Sequence, residues 1–430
     1  MTRQIAFIIA LLITLGIFTY TISRLVSYFR ITKAFPVGQW GKRVAVMLRV
    51  AIGQTKIFRF PFIGLVHALV FWGFMVITLG SIEMVIDGVF GLDRSMSSTG
   101  WFYDFVMASG DIMAYVIIIA MLIFLFRRLF MTIRRFKGIE MQLKSKLDAI
   151  IALCIIFMLM LSLAGINLTY IQLHPTNYSG VFPISALLVP QLFTLGTQPF
   201  MLHEVSWWTH ILLIFLFANI LPYSKHFHVF TSVPNVFLSR LEPLGYLPNM
   251  ENVMAEVKLM MNPETAFAPP AEEVPAVPAR FGVKDVEDVT WKNYLDALAC
   301  TECGRCTSVC PANITGKLLS PRKIFVDLRA RMKEKGPGLS KDSNYDDGKA
   351  LLRDYITPEE LWACTTCNAC AQECPININH PTLILDMRRY LVMEEAAAPP
   401  ALNTMFTNIE NNGAPWQFPA EDRMKWAESL

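Results

Sequence analysis

Long apolar segments recur through the first half of the chain, at lengths that suit a lipid bilayer. Five of them reach the roughly 20 residues that a helix needs to cross the hydrocarbon core, and they cover residues 4–26, 60–86, 111–131, 148–171 and 206–230. A further apolar stretch at 181–200 contains three prolines, and we interpret it as a re-entrant or surface-lying segment. The pattern predicts a five-helix transmembrane bundle over residues 1–230.

The apolar pattern ends after Phe230, where polar residues become frequent. Residues 231–279 are expected to form a surface segment and a proline-rich linker, and residues 280–430 a soluble domain. Helical patterns in that domain cover 287–299, 321–335 and 381–395, and a polar loop is expected over 336–347. Thr357-Pro358-Glu359-Glu360 has the residues of a helix N-terminus. The chain is therefore predicted to be all-α.

Lysine and arginine are unequally divided between the two sides of the predicted bundle. The loops after the first and third spans, together with the last residues of the third span, contain fourteen of them, whereas the opposite loops contain only Arg94. The fourteen are Arg30, Lys33, Lys42, Arg43, Arg49, Lys56, Arg59, Arg127, Arg128, Arg134, Arg135, Lys137, Lys144 and Lys146. Because basic loops stay in the cytoplasm, we expect a bacterial or archaeal inner-membrane protein whose N-terminus is outside and whose soluble domain is cytoplasmic.

Composition agrees with a chain that is part membrane-embedded and part soluble, since its hydrophobic fraction is 53% and its net charge only +3. The basic residues lie next to apolar residues at the predicted membrane surface. Anionic lipid headgroups account for such a distribution, so the lipid bilayer is the expected partner and nucleic acid is not.

Eight of the nine cysteines form two copies of the motif C-x-x-C-x-x-C-x-x-x-C-P. In two-cluster ferredoxins with this spacing, three thiolates of a run bind one four-iron cluster and the fourth binds the other. The predicted ligands of the first 4Fe–4S cluster are therefore Cys300, Cys303, Cys306 and Cys374. Those of the second are Cys364, Cys367, Cys370 and Cys310.

Paired zinc sites are the alternative, because C-x-x-C pairs also bind zinc. Zinc takes four ligands at each site and does not account for a duplicated run of three cysteines plus one. Cys154 stands alone in the fourth predicted span and is expected to be a packed core thiol. His380 follows the second run and is expected to start a helix or contact the ligands.

The soluble domain resembles the helical ferredoxin domain of the succinate dehydrogenase iron–sulfur subunit and of the heterodisulfide reductase family. The resemblance includes the cysteine runs, Val289-Thr290-Trp291, the segment 386–392 and the tail 411–416. In that family such a tail leads into cysteine-rich CCG domains that carry the substrate-reducing cluster. The resemblance thus implies a cytoplasmic partner, either a CCG-domain iron–sulfur reductase subunit or another redox protein.

Histidines in the predicted spans suggest a haem, because two imidazoles on different helices can bind its iron axially at one membrane depth. His67 lies about 10 Å inside the second span at 1.5 Å per residue. His228 lies at the end of the last span, in the same half of the bilayer. His67 with His228 is the preferred pair, and His67 with His210 is the alternative.

These spans resemble the cytochrome b subunit of respiratory nitrate reductase and the membrane subunit of heterodisulfide reductase, which implies haem b. In the nitrate reductase pattern a second histidine follows the first by ten residues, where this chain has Ile77. A second haem would therefore need His203 beside His210. His174 and His203 are expected at the outer interface, where they could instead line a quinone pocket with Glu83.

The sequence thus predicts a membrane electron-transfer subunit of a quinone-linked oxidoreductase. Electrons would pass between a quinone, haem b, two 4Fe–4S clusters and the cytoplasmic partner; no catalytic residue is identified, and whether the chain is itself an enzyme stays open. The alternative is a haem-free, membrane-anchored polyferredoxin for assembly or metal reduction. Such a protein would lack a histidine pair and would often carry cysteines within its spans.

Overall fold

The computed structural model describes residues 2–192, 198–262, 280–417 and 419–428. The prolines of the predicted linker lie outside the described residues. The described chain is helical, and two isolated β-bridges are the only β-type pairing in it. The predicted all-α class is therefore confirmed.

Five described helices are long and apolar enough to cross a membrane, as predicted. They are α1 (Thr2–Phe29), α3 (Pro61–Phe90), α4 (Trp101–Leu129), α5 (Leu143–Leu173) and α7 (Pro199–Ile220). Several are longer than their apolar cores. Helix α4, for example, begins ten residues before the predicted span at 111, because a helix can continue into the interface where its polar residues meet water.

The segment at 181–200 forms a ten-residue helix, α6 (Pro183–Leu192), in its described part. This helix is not among those long enough to span a membrane, as expected. Asp111 of α4 accepts hydrogen bonds from the backbone N–H groups of Ile184 (2.9 Å) and Ser185 (3.0 Å). The carboxylate thus satisfies two of the backbone donors that the start of a helix leaves unpaired.

The spans pack against one another through small and aliphatic side chains. Val66 of α3, Ile117 of α4 and Leu153 of α5 belong to one buried cluster. Helix α1 joins through Phe7, which contacts Gly88 so closely that a Cβ there would lie 2.6 Å from the ring. A glycine is therefore required at this crossing.

The last span ends earlier than predicted. Helix α7 stops at Ile220, and two short 3₁₀ turns, Leu221–Tyr223 and Lys225–Phe227, follow it. Pro222 lacks a backbone N–H, which favours this break. As a result, His228 begins a separate helix, α8 (His228–Phe237), and does not extend the span as expected. Two further short helices are α2 (Trp40–Met47) and α9 (Glu251–Met261).

The soluble domain contains nine helices within the described residues. They are α10 (Trp291–Ala299), α11 (Arg305–Ser308), α12 (Pro311–Ile314), α13 (Pro321–Leu339), α14 (Pro358–Trp362), α15 (Ala369–Glu373), α16 (His380–Met393), α17 (Pro400–Asn412) and α18 (Lys425–Glu428). The prediction of a loop from Gly336 was wrong at its start, because α13 continues to Leu339. Gly336 packs against the ring of Tyr28, where a Cβ would lie 3.1 Å from ring carbons.

Two local predictions have clear outcomes. The helix start at Thr357 is confirmed: its hydroxyl accepts from the Glu360 N–H (3.3 Å), and the Glu360 carboxylate accepts from the Thr357 N–H (2.9 Å). The prediction of a packed Cys154 was wrong, because this thiol is exposed on α5. Against lipid an apolar thiol needs no protein partner, so position in a span did not imply burial.

The soluble domain packs on the end of the bundle that carries the two basic loops. Lys33 donates its backbone N–H to Val289 O (2.8 Å) and accepts from the Trp291 N–H (2.9 Å). Arg322 of α13 donates to the carbonyls of Arg135 (2.7 Å) and Lys137 (3.0 Å) in the other loop. The loops and the soluble domain therefore lie on one side of the predicted membrane.

The charge asymmetry predicts that this side is cytoplasmic. In intact cells, a membrane-impermeant maleimide should label Ser98→Cys, in the loop before α4, but not Ser340→Cys, at the end of α13. Both serines are exposed, so they form a matched pair. Labelling of Ser340→Cys without permeabilisation, with Ser98→Cys protected, would reverse the orientation.

Candidate electron-transfer site

The structure brings the first predicted set of cysteines together. Cys300, Cys306 and Cys374 are buried, and Cys303 is half-buried. The pKa of the Cys306 thiol is raised by its burial and by the neighbouring Cys303, Cys300 and Cys374. The close approach of Cys374 joins the second run to the first, as the crossed ligand pattern requires.

The second set is also assembled. The pKa of the Cys370 thiol is raised by burial and then by nearby Cys364, Cys310 and Cys367. Cys310 and Cys370 are buried, whereas Cys364 is half-buried and Cys367 is exposed. The second set therefore opens towards solvent on one side.

Backbone amides are directed at the sulfurs. The Thr366 N–H donates to Cys364 Sγ at 3.4 Å. Other backbone N–H groups lie near the thiols and lower their pKa: Glu302 at Cys300, Ala312 and Asn313 at Cys310, Ala371 at Cys370, and Ile376 and Ile378 at Cys374. Hydrogen bonds to ligand sulfurs tune the potential of an iron–sulfur cluster.

The loops adopt this shape through residues of left-handed conformation. Glu302 (φ 56°) and Gly304 (φ 73°) stand in the first run, and Thr366 (φ 54°) and Asn368 (φ 59°) in the second. At Gly304 a Cβ would overlap the carbonyl oxygen of Arg135 from the bundle. The glycine therefore permits close contact between the first run and the membrane domain.

The donor set fits two four-iron clusters. Burial raises the pKa of Cys300 to about 11 and that of Cys374 to about 12, so these thiols need a strong positive charge to act as thiolates. Among the described His, Cys, Asp and Glu, no group of three or more is arranged to hold a single metal ion.

Positive groups surround the first set. Lys56 Nζ donates to the Cys374 carbonyl (3.1 Å), and Arg329 donates to the Cys300 carbonyl (3.0 Å). Arg135 lies near Cys303. Lys56 and Arg135 belong to the two basic loops, so the membrane domain itself supplies charge that favours thiolates.

Two of the predicted histidines lie beside this set. The ring of His67, on α3, is in electrostatic contact with His228 and with Arg305 of the first cysteine run. His228 Nδ1 lies 3.2 Å from the Lys225 carbonyl, which can only accept. Nδ1 therefore carries the proton, and Nε2 is left with the lone pair that a metal would need.

His210 has the same character deeper in the bundle. Its Nδ1 donates to the Leu159 carbonyl (3.0 Å), while its buried Nε2 has no partner. His203, seven residues earlier on α7, contacts Thr169 Oγ1 through Nδ1 at 2.9 Å. The structure separates these two histidines from the pair near the cysteines.

A cavity of about 640 Å³ lies at the end of the bundle opposite the soluble domain, and we call it the distal cavity. It brings together Glu83, His174, His203 and His210, the residues weighed for a quinone pocket or a second haem. Ile77 also lines it, at the position where the nitrate reductase pattern has histidine.

Some residues of these sites were not identified from the sequence. Asp87 and Arg94 line the distal cavity, and Glu302 and Arg305 stand between the ligands of the first run. A charged residue directly between cluster cysteines was a usable signal for Glu302 and Arg305. His380, in contrast, lies where expected: it begins α16 and packs edge-on against Phe325 at 5.2 Å.

Comparison with known proteins agrees with this site. Residues 299–378 match the family model of the 4Fe-4S dicluster domain. A probable iron-sulfur-binding oxidoreductase, FadF, of Bacillus subtilis is 28% identical over 99% of the chain and 61% of its own length. EtfAB:quinone oxidoreductase of Syntrophomonas wolfei is 27% identical over 88% of the chain and 53% of its own length.

A component of the ferredoxin/F(420)H(2)-dependent CoB-CoM heterodisulfide reductase of Methanosarcina acetivorans is 36% identical over 24% of the chain and 52% of its own length. No solved structure matches the chain significantly. The chain spans about three-fifths of FadF and half of the quinone oxidoreductase. The chain is similar to heterodisulfide reductase-type iron–sulfur proteins, and its 4Fe-4S dicluster domain supports an iron–sulfur electron-transfer protein with two clusters.

The crossed ligands predict which cluster each variant damages. Cys310→Ser should disturb the second cluster more than the first, because its thiolate crosses to the second set. Iron content and cluster-resolved electron paramagnetic resonance (EPR) of the reduced protein measure this. Cys374→Ser is the matched control and should damage the first cluster; selective loss of the first cluster in Cys310→Ser would contradict the assignment.

Proposed function

We propose that the chain is the membrane electron-transfer subunit of a quinone-linked oxidoreductase. Electrons pass between a quinone at the distal cavity, a haem b between His67 and His228, the two clusters and a redox partner in the cytoplasm. One observation carries this proposal most directly: His67 and His228, from separate helices, lie near enough to influence each other's charge, and Arg305 of the first cysteine run lies near His67. The two histidines therefore lie between the apolar bundle and the first set of cluster cysteines.

The histidine pair suits a low-spin haem b. When bound, a haem would supply one-electron transfer within the bundle, and His67 and His228 would hold it through their imidazole nitrogens. The Lys225 carbonyl fixes the tautomer and orientation of His228, as a hydrogen-bonded outer partner commonly does for a metal-binding histidine. Two imidazoles leave no coordination site for water, so these residues favour electron transfer over oxygen chemistry.

The distal cavity suits a quinone. Its volume of about 640 Å³ is within the range of about 300–1,000 Å³ that small-molecule pockets occupy. The His210 Nε2 is a buried hydrogen-bonding atom without a partner, and it can contact a quinone oxygen. Glu83, which accepts from the Met96 N–H at 3.0 Å, lies in the same wall and can exchange a proton.

A similar protein supports the quinone assignment. The relative from Syntrophomonas wolfei is named a quinone oxidoreductase, and its similarity covers most of this chain. The relation to heterodisulfide reductases supports a partner that carries CCG-type domains. Because Cys367 is exposed, such a partner can approach the second cluster from solvent.

The haem-free polyferredoxin remains the second candidate, and the dicluster domain alone is compatible with it. A haem-free polyferredoxin gives no reason for His67 and His228 to lie near each other beside the cysteines. An optical spectrum of the purified protein distinguishes the two candidates, because only the haem protein shows a sharp α-band after reduction.

Substitution of the paired histidines should remove the haem and spare the clusters. Reduced His67→Ala and His228→Ala proteins should each lose at least half of a b-type signal, because one axial ligand is gone. His226→Ala should lose much less, since His226 lies in a 3₁₀ turn and its Nδ1 contacts Ser224 Oγ at 2.9 Å.

His174→Ala, at the other end of the bundle, is the control and should keep the full signal. Iron and sulfide analysis should stay at the wild-type value in all four variants. A haem signal unchanged by His67→Ala would refute the pairing, and a well-folded wild type without haem would favour the polyferredoxin.

A further inference from the structure

The loop Cys300–Cys306 contacts both segments that carry the paired histidines. Glu302 pairs with Lys225, three residues before His228, and Arg305 contacts the residues that precede α3, which carries His67. We propose that Glu302 and Arg305 are positioning residues that fix the first cluster against the histidine pair. The first cluster is then the one that exchanges electrons with the bundle. This inference rests on the proposed function and deepens it.

Glu302 forms a buried bridge towards His228. Its carboxylate accepts from Lys225 Nζ (3.3 Å) and also from Ser145 and Arg329. Lys225 in turn donates to the Ser145 carbonyl (2.5 Å), and the Lys225 carbonyl accepts from His228 Nδ1 (3.2 Å). A continuous set of contacts thus joins the first cysteine run to the imidazole.

Buried charges make this bridge specific. Lys225 and Glu302 are both buried, and a buried charge is costly unless it is paired and hydrogen-bonded. The native arrangement, in which each charge has its partners, is therefore preferred over displaced ones. The pair fixes one position of the soluble domain relative to the turn that precedes α8.

Arg305 forms the corresponding contact towards His67. Its guanidinium donates to the Lys56 carbonyl (2.8 Å) and lies 4.8 Å from the centre of the Phe60 ring. Phe60 is the residue that immediately precedes α3, and His67 follows seven residues later. Arg305 is itself buried and lies in electrostatic contact with His67.

The two clusters differ in their relation to the bundle. The first set contacts it through Gly304, packed on Arg135, and through the Cys374 carbonyl, bonded to Lys56. In the second set, Cys364 is bonded by Thr366 N–H at its sulfur and by Arg388 at its carbonyl, both from the soluble domain. The basic loop also reaches the second run, where Lys56 donates to the Ala371 carbonyl (3.4 Å) and Arg59 pairs with Glu373. Of the contacts named here, those at a ligand cysteine itself or at the glycine between two ligands belong to the first set.

The charges of the two positioning residues should also affect redox potentials. A nearby positive charge stabilises the reduced, more negative form of a cluster and raises its potential. Arg305, between Cys303 and Cys306, should raise the potential of the first cluster, and Glu302, between Cys300 and Cys303, should lower it. A purely structural contact would not produce shifts of opposite sign.

Lys225→Met tests the bridge without changing the cysteine loop. In the full-length protein, haem and iron contents should match the wild type, while electron transfer between haem and first cluster slows. A several-fold slowing is expected, because the rate of electron tunnelling falls exponentially with the distance between the two centres. Hydrogen–deuterium exchange should rise at 224–229, and Lys225→Arg should restore both quantities.

The matched control is Glu334→Gln, which removes an exposed charge whose partner is Lys349. It should leave the transfer rate and the exchange at 224–229 unchanged. In EPR-monitored redox titrations, Arg305→Met should lower the first cluster's potential and Glu302→Gln should raise it. Arg305→Lys should remain close to wild type, and the second cluster should not shift in any of them.

The inference would be overturned if Lys225→Met kept the wild-type transfer rate and hydrogen exchange and Arg305→Met kept the wild-type potential. Potential shifts confined to the second cluster would overturn it as well. If Arg305→Met fails to assemble its cluster, Lys225→Met still decides. A wild-type protein that lacks haem would defeat the proposed function separately. The contacts of Glu302 and Arg305 would then be tested by hydrogen–deuterium exchange at 224–229 and by the potential of the first cluster.

Discussion

Thiolate formation inside a protein interior is the constraint on which the rest of this structure depends. Five of the eight motif cysteines are buried, and burial raises the pKa of each thiol. A cluster ligand must nevertheless be a thiolate. Iron supplies the main compensating charge, so insertion of the clusters and folding of the soluble domain are expected to be coupled.

The membrane domain and the soluble domain share one buried core. Leu25 and Tyr28 of α1, together with Leu221 and Phe227 after α7, belong to the same buried core as Phe325 and Leu383 of the soluble domain. This core continues across the predicted membrane surface, so the soluble domain packs directly against the membrane domain. Electron transfer between fixed centres requires such constancy of distance, which a flexible connection would not provide.

The sequence predicted those features that depend on spacing and periodicity. The two cysteine runs specify their ligand sets without any tertiary information, and apolar length alone identified five spans. The Thr357 capping box was predictable because its contacts are local. The pairing of His67 with His228 stays a prediction; the depth argument assumed that His228 continues the last span, whereas it begins α8.

Features that depend on tertiary contacts could not be predicted from the sequence as well. Helix α13 continues through Gly336 because that glycine packs on Tyr28, which lies more than 300 positions away in sequence. The Lys225–Glu302 pair joins two segments whose proximity no local pattern indicates. Cys154 shows the limit of hydropathy, which identifies a span but not the face that meets lipid.

Electron transfer between the clusters and a quinone, through the bundle, is the step on which the proposed function depends. The most direct measurement uses chemically reduced protein in sealed liposomes that contain a long-chain quinone confined to the bilayer. Freeze-quench EPR and optical spectroscopy then follow reoxidation of the clusters and the haem. We expect both to reoxidise in quinone-containing liposomes and to remain reduced in quinone-free ones. Clusters that stay reduced beside the quinone, yet react with ferricyanide, would disprove electron transfer from the clusters to the quinone.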